Sequence, residues 1–189
     1  MRRSSSTPAG PVWETTLAHG LKDAATYPRI PRMVRILFVC MGNICRSPIA
    51  QGVFENLARR EGLAGDIQVD SAGTHGFYHA GEPPDMRAQE SVLARGIDIS
   101  GQRARRLELD DCNRFDYILT MDEENYRAVA GLCNGHAEVR PFLDYAPGPE
   151  TEVPDPYYGG PEGFQHALQL IDEASEGLLQ EIRERRLGG

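Results

Sequence analysis

The sequence predicts an α/β fold, a three-layer sandwich in which a central four-stranded parallel sheet carries helices on both faces. Short apolar runs rich in β-branched residues alternate along the chain with segments of helical period. This alternation is typical of βαβ units, whose helices cover both faces of a parallel sheet. A chain of 189 residues, 40% of them hydrophobic, is also of a size that forms one domain around a single core.

The first strand and the first helix are clearly marked. Residues 34–39 read V-R-I-L-F-V, which predicts a buried strand. Pro48 suits the first turn of a helix, and apolar residues from Ile49 to Leu57 then follow at helical spacing until Gly62. A loop over residues 40–47 should therefore join this strand to this helix, at the carboxyl end of the strand, where parallel sheets bind ligands.

The later elements continue the alternation. Asp122 is a suitable helix N-cap. Residues 144–161 contain five prolines and three glycines, which predicts a long surface loop of the kind that is often functional. We predict further strands at residues 67–70, 117–121 and 137–142, and helices at residues 86–95, 107–114, 122–133 and 162–186.

The first 32 residues differ in composition from the rest. They are rich in Arg and Ser and lack the apolar segment of a secretory signal, so we expect a disordered N-terminal extension, residues 1–32, before a domain at residues 33–189. Met33 is an alternative start.

No run of about 18 apolar residues occurs, so no segment is expected to span a membrane, and we expect a cytoplasmic protein.

The formal net charge of -8 disfavours nucleic acid and anionic membranes as partners, because proteins that bind them normally present a basic surface. The four cysteines are Cys40, Cys45, Cys112 and Cys133. They are too sparse for a disulfide scaffold and lack zinc spacing. We therefore expect four reduced thiols, with Cys112 and Cys133 as structural residues in helices, and neither a metal nor a cofactor.

Residues 40–48, C-M-G-N-I-C-R-S-P, form the candidate site. A loop that leads into a helix can turn its N–H groups around an anion, and the helix N-terminus adds donors and a positive dipole end. Arg46 offers a planar fork to two phosphate oxygens. Residues 41–47 are called the cradle below. The predicted phosphate-binding residues are Met41, Gly42, Asn43, Ile44, Cys45 and Ser47.

Cys40 is the candidate nucleophile. Helix N-termini and cationic neighbours stabilise thiolates, so we expect Cys40 to be ionised at neutral pH. The Ser47 hydroxyl is placed to donate to that thiolate and to help it leave later. Gly42 and Asn43 tolerate the backbone angles that a tight loop needs. A thiolate beneath a phosphate-binding loop is an activated nucleophile.

The segment 40–48 resembles the signature of the low-molecular-weight protein tyrosine phosphatases. Matches follow in order at residues 70–74 (D-S-A-G-T), 81–87 (G-E-P-P-D-M-R), 121–125 (M-D-E-E-N) and 153–159 (V-P-D-P-Y-Y-G), so the resemblance covers residues 34–186. It implies hydrolysis of phosphotyrosine in proteins, and of small aryl phosphates, through a cysteinyl-phosphate intermediate. This reaction needs no cofactor, and we expect a monomer or weak dimer.

The resemblance implies further roles. Asp155 matches the general acid, a group that typically contributes about 10²–10⁴-fold. Tyr157 and Tyr158 are implied to line the entrance, and either Phe77 or Tyr78 is expected on the opposite wall.

Three other residues take roles from the same resemblance. Cys45 is implied to protect Cys40 from irreversible oxidation through a reversible disulfide; otherwise it packs as a small apolar residue under the loop. Ser71 is implied to brace Asn43. Gln51 departs from the Glu that is frequent in the family, and we expect this to change packing or polarity more than chemistry.

Three alternatives remain. An arsenate reductase on the same fold would need two further cysteines close together, whereas Cys112 and Cys133 lie well apart in sequence. A protein arginine phosphatase of the same family would favour Thr where this chain has Ile44. A non-catalytic phosphotyrosine-binding module would have lost the nucleophile or the acid, and both are present.

Overall fold

A four-stranded parallel sheet forms the centre of the fold, in a computed structural model that describes residues 33–187. Its strands are β1 (Val34–Cys40), β2 (Ile67–Gly73), β3 (Tyr117–Thr120) and β4 (Glu138–Pro141). Their order is β2-β1-β3-β4 and every pairing is parallel. The predicted sheet is confirmed, and the expectation of a disordered extension at residues 1–32 lies outside the described residues.

Five helices accompany these strands among residues 33–187: α1 (Arg46–Arg60), α2 (Met86–Leu93), α3 (Asp111–Arg114), α4 (Glu123–Leu132) and α5 (Pro161–Ile182). Short 3₁₀ turns lie at Gly76–His79 and Phe142–Tyr145, and a π turn at Arg183–Leu187 follows α5. Pro48 falls in the first turn of α1, and the Asp122 side chain caps α4 by accepting the N–H of Asn125, as predicted.

Two predicted boundaries, the end of β2 and the start of α3, were wrong for the same tertiary reason. β2 continues three residues beyond the predicted end, because its register with β1 runs on to the pair Cys40 and Gly73. The N–H of Leu107 donates to the carbonyl of Gly73, so the segment predicted to open a helix instead lies along the end of β2. Helix α3 therefore starts at Asp111 rather than at residue 107.

The two faces of the sheet close different cores. Ile36 and Phe38 of β1 face a large core that α1 and α5 complete, and the Phe38 ring centroid lies 4.8 Å from that of Phe142. Leu37 and Val39 face a smaller core with Ile118 and the α4 residue Val129. Side chains on a strand alternate between faces, so burial on both sides explains the nearly continuous apolar run of β1 and confirms the three layers.

A disulfide joins Cys112 of α3 to Cys133 at the end of α4, with a Cα–Cα distance of 5.3 Å. The expectation of four reduced thiols is therefore wrong for these two residues, whereas Cys40 and Cys45 are free. The two half-cystines are 21 residues apart in sequence. They meet because Phe115, just after α3, and Cys133 both pack in the smaller core, a proximity that sequence spacing does not reveal.

None of the helices described between residues 33 and 187 combines the length and the apolar character needed to cross a bilayer.

Candidate active site

The cradle begins at the carboxyl end of the central strand β1 and runs into the first turn of α1. The chain passes from β1 to its neighbour β2 and later to β3 on the other side, so the cradle lies at the point where the strand order reverses. Asn43 takes a left-handed conformation, with φ of 57°. Asn43 is therefore the residue that takes the left-handed conformation in this loop. Gly42, which the sequence also suggested for the unusual backbone angles of a tight loop, has no positive φ.

The Cys40 sulfur receives two contacts from the cradle. The backbone N–H of Asn43 donates to Cys40 Sγ at 3.3 Å, and Ser47 Oγ lies 3.1 Å from the same sulfur. Cys40 is only 3% exposed. These two contacts hold the Cys40 sulfur in place against the cradle.

Asn43 holds the cradle in shape through its side chain. Its Nδ2 donates to Ser47 Oγ at 3.0 Å and to Ser71 Oγ at 2.9 Å, while its Oδ1 accepts the N–H of Arg105 at 2.9 Å. Ser71 Oγ in turn donates to Gln51 Oε1 at 2.8 Å. The contact between Ser71 and Asn43 is the one that the resemblance implies. Gln51, the departure from the family, belongs to the same network, three hydrogen bonds from Ser47.

Gly73 lets the cradle approach the end of β2. A Cβ atom added to Gly73 would lie 2.6 Å from the carbonyl oxygen of Met41 and 3.0 Å from the nitrogen of Asn43. Two backbone hydrogen bonds fix the same approach, from Thr74 to the carbonyl of Cys40 and from His75 to that of Met41. Only glycine fits here without moving the main chain of the cradle.

We therefore expect Gly73→Ala to lower kcat/KM for an aryl phosphate by about 10- to 100-fold, because displacing reacting groups by about 1 Å can cost that much. Its Kd for inorganic phosphate, measured by calorimetry, should rise in parallel. Gly65→Ala is the matched control, since a Cβ at Gly65 meets nothing within 4 Å. A Gly73→Ala variant that binds phosphate as tightly as the Gly65→Ala control would contradict this role of Gly73.

Arg46 is buried, with 3% of its surface exposed, and holds two carboxylates. Its Nη1 donates to Asp122 Oδ2 at 2.5 Å and to the carbonyl of Val153 at 3.1 Å, and its Nη2 donates to Asp155 Oδ2 at 2.9 Å. Burial tends to lower the pKa of Arg46, but Cys40, Asp155 and Asp122 together raise it above its ordinary value. The guanidinium is therefore a fixed positive charge held at the cradle.

Asp155 lies on the loop that leads to α5, the acid loop of residues 152–160. Its side chain is 43% exposed, and its Oδ1 accepts the N–H of Tyr157 at 3.1 Å. The loop is anchored just before Asp155, where the N–H of Val153 donates to the carbonyl of Met121 at 2.7 Å. One carboxylate oxygen thus faces Arg46, and the other is held by the loop itself.

A cleft of about 230 Å³ opens above Cys40. The sequence did not point to His79, which is among its lining residues and whose Nδ1 lies 2.8 Å from Glu82 Oε2. Phe77 and Tyr78, the aromatics proposed for the wall opposite the tyrosines, are not among them. The cleft is lined by Cys40, Met41, Gly42, Ile44, Cys45, Arg46, His79, Asp155, Tyr157 and Tyr158.

Cys45 lines the same cleft but has a different environment from Cys40. Burial raises the pKa of the Cys45 thiol, and the negative charges of Asp85, Cys40 and Asp155 raise it further, against a smaller opposing effect of Arg87. Cys45 is therefore protonated at neutral pH. Because both thiols are free in the structure, the reversible disulfide between them stays a prediction.

The structure brings Asp155, Tyr157 and Tyr158 to the cradle and Cys40, but not Phe77 or Tyr78. It adds Asp122, Gly73 and His79 to the residues at the site. Asp122 was expected only to cap α4, yet its second oxygen binds Arg46. Asp122 and Gly73 both lie in segments that resemble the family, at residues 121–125 and 70–74. The resemblance marked these positions but did not assign a role to either residue. Within residues 33–187, no group of three or more His, Cys, Asp or Glu side chains is arranged to hold a metal ion.

Comparison with known proteins assigns the fold and the site to one family. Residues 35–187 match the family described as low molecular weight phosphotyrosine protein phosphatase. The low molecular weight protein-tyrosine-phosphatase YfkJ of Bacillus subtilis is 42% identical over 158 residues, which cover 82% of this chain and 99% of YfkJ. The human low molecular weight phosphotyrosine protein phosphatase is 41% identical over 149 residues, 77% of this chain and 93% of the human protein.

Solved structures give the same result. The crystal structure of YfkJ superposes with a TM-score of 0.77 at 39% identity, covering 82% of this chain and 97% of that one. The crystal structure of the drosophila arginine phosphatase superposes with a TM-score of 0.73 at 31% identity, covering 78% and 97%. With likenesses that span nearly the whole described fold, this chain belongs to the low molecular weight phosphotyrosine protein phosphatase family.

Proposed function

We propose that the chain hydrolyses phosphotyrosine in proteins, and small aryl phosphate monoesters, through a cysteinyl phosphate formed on Cys40. The observation that carries the proposal is the convergence of three groups on one cleft: the Cys40 sulfur at its floor, the Arg46 guanidinium and the Asp155 carboxyl. These groups are a nucleophile, a binder of phosphate oxygens and a proton donor, which are the three needed to transfer a phosphoryl group from a phenol.

In the first step the phosphate enters the cradle and its oxygens take donors from the backbone and from Arg46. The Nη2 contact from Arg46 to Asp155 gives way, because the phosphate takes that donor. The Cys40 thiolate forms the S–P bond as the P–O bond to the phenol breaks, and protonated Asp155 gives its proton to the leaving oxygen. Donors fixed in place before the reaction stabilise the equatorial oxygens without reorganisation.

In the second step water attacks the cysteinyl phosphate and Asp155 accepts a proton from it. The S–P bond breaks, and Ser47 Oγ, 3.1 Å from the sulfur, donates to the thiolate that leaves. The cycle needs Cys40 ionised and Asp155 protonated at its start. Opposite protonation requirements give a bell-shaped dependence of kcat/KM on pH.

The walls of the cleft favour an aryl substrate. Ile44 and Tyr157 both line it, and they offer apolar and aromatic surface to a phenyl ring. The likeness to the drosophila arginine phosphatase keeps phosphoarginine as the second candidate substrate. An apolar Ile44 offers no acceptor for a guanidinium, so we propose phosphotyrosine as the preferred substrate, and parallel assays with phosphotyrosine and phosphoarginine peptides compare the two.

The disulfide argues against an arsenate reductase. Tyr117, at the start of β3, pairs with Ile36 of β1. Ile36 lies four residues before Cys40 along the strand, which is roughly 13 Å at about 3.3 Å per residue, and Cys112 precedes Tyr117 in the chain. Cys112 and Cys133 therefore lie toward the opposite end of the sheet from Cys40 and are poorly placed to relay oxidation from it. We further propose a cytoplasmic location and a monomer or weak dimer, although disulfides are more typical of oxidising compartments.

Rapid-quench kinetics with 4-nitrophenyl phosphate test the proposed intermediate. We expect a burst of nitrophenol of about one equivalent per protein, because covalent catalysis releases the phenol before the phosphoenzyme is hydrolysed. Mass spectrometry of the quenched protein should place one phosphoryl group on Cys40. The mechanism would be wrong if phenol and phosphate appeared together from the first turnover and no phosphocysteine could be trapped.

A further inference from the structure

Arg87, at the start of α2, contacts the acid loop without facing the reacting atoms. Its Nη1 donates to the carbonyl oxygen of Tyr157 at 3.0 Å. Its guanidinium carbon lies 5.5 Å from the centroid of the Tyr157 ring and 5.1 Å from that of Phe164 in α5. The guanidinium is thus placed to make cation–π contacts with two rings while it bonds to the loop backbone.

The other edge of the guanidinium is fixed to Asp85. Arg87 Nε donates to Asp85 Oδ1 at 3.0 Å and Nη2 donates to Oδ2 at 2.8 Å, which is a two-pronged ion pair. The same Asp85 carboxylate caps α2 by accepting the N–H of Arg87 at 2.9 Å. Hydrogen bonding from Arg87 lowers the pKa of Asp85 although burial opposes it, so the carboxylate is charged at neutral pH.

Asp85 is in turn bonded to the cradle, because its N–H donates to the carbonyl of Ile44 at 2.8 Å. A continuous path of contacts therefore leads from Ile44 through Asp85 and Arg87 to Tyr157, whose N–H holds the Asp155 carboxylate at 3.1 Å. The path crosses from the loop that carries the nucleophile to the loop that carries the acid.

We infer that Arg87 is a positioning residue, which sets the Asp155 carboxyl at the distance from the cradle that protonation of the leaving phenol requires. The inference rests on the proposed function. The acid loop contains no strand or helix that would fix it. Its anchor at Val153 lies before Asp155, so a second anchor after Asp155 is needed to define the position of the Asp155 carboxyl. Arg87 supplies that anchor at Tyr157.

Arginine suits this role better than lysine. Three of its nitrogens are used at once, two toward Asp85 and one toward Tyr157, and the planar group also presents faces to aromatic rings. An ammonium is a compact charge on a flexible stem and cannot reproduce this geometry.

The test compares kcat/KM for phenyl phosphate, which has a poor leaving group, with kcat/KM for 4-nitrophenyl phosphate, which has a good one. A misplaced acid should matter only when the leaving oxygen needs its proton. We expect Arg87→Met to lower kcat/KM for phenyl phosphate by about 10- to 100-fold, and for the nitrophenyl ester by less than about threefold. Arg87→Lys should behave like Arg87→Met, and the Kd for inorganic phosphate should stay near the wild-type value.

Arg95→Met is the matched control. Arg95 follows α2 and also forms an ion pair with α5, through Asp172, so its loss removes a comparable surface contact without touching the acid loop. It should leave the ratio of the two kcat/KM values at the wild-type level. In an Asp155→Asn background, Arg87→Met should change kcat/KM for phenyl phosphate by less than about twofold, because residues that act through one group are not additive.

Hydrogen exchange at residues 152–160 gives a readout that does not depend on turnover, and exchange there should be faster in Arg87→Met than in Arg95→Met. The inference would be overturned by a wild-type leaving-group ratio in Arg87→Met, by full rescue with Arg87→Lys, or by unchanged exchange in the acid loop. A wild-type protein that hydrolyses neither ester would instead overturn the proposed function, while the exchange measurement would still decide whether Arg87 holds the loop.

Discussion

Cys40→Ser should lower the turnover of any aryl phosphate by on the order of 10⁴- to 10⁶-fold, a loss like that seen when a catalytic nucleophile is removed from other enzymes. A serine hydroxyl in the same place is not ionised at neutral pH, and within residues 33–187 the groups that hydrogen-bond to the Cys40 sulfur include no histidine to activate it. The measurement is kcat with 4-nitrophenyl phosphate, together with the trapping of a phosphorylated protein.

The binding of phosphate separates loss of the nucleophile from loss of the site. The cradle donors and Arg46 are untouched by Cys40→Ser, so the Kd for inorganic phosphate should stay within about threefold of wild type. The double variant Cys112→Ser, Cys133→Ser is the control, because it removes two cysteines that do not line the cleft. Retention of more than about a tenth of the activity in Cys40→Ser would rule out Cys40 as the nucleophile.

Asp155→Ala should have the second largest effect, and its size should depend on the substrate. For phenyl phosphate we expect kcat/KM to fall by about 10²–10⁴-fold, the usual contribution of a general acid. For 4-nitrophenyl phosphate the fall should be much smaller, because nitrophenolate leaves without a proton.

Phosphate affinity gives an independent check on Asp155. In the structure its carboxylate occupies one donor of Arg46, at 2.9 Å, so Asp155→Ala frees that donor and should tighten phosphate binding rather than weaken it. Asp155→Asn has a single acceptor oxygen, so it can keep only one of the contacts to Arg46 and Tyr157. It also has no carboxyl proton, so it should match Asp155→Ala in its leaving-group dependence. Glu150→Ala, a carboxylate in the loop just before this segment, serves as control, and an equal loss for both esters would refute general acid catalysis by Asp155.

Much of the site was predictable because it is continuous in sequence. The strand that ends at Cys40, the loop and the start of α1 form one segment, and strand pattern, left-handed tolerance of Asn43 and the fork of Arg46 are local properties. The Asp122 cap is local for the same reason, since a cap bonds to a backbone three residues away. The position of Asp155 rested on resemblance alone, because 109 residues separate it from Arg46.

The chain by itself determined its layers, its central strand and the loop that carries Cys40, because periodicity and turn chemistry act between residues that are near in sequence. Only the tertiary structure decided that Asp122 and Asp155 share one guanidinium, that His79 rather than Phe77 or Tyr78 lines the cleft, that Cys112 meets Cys133, and that Arg87 links the cradle to the acid loop. Each of these contacts joins separate elements, and their meeting depends on how helices and loops pack against the sheet, which no local pattern specifies.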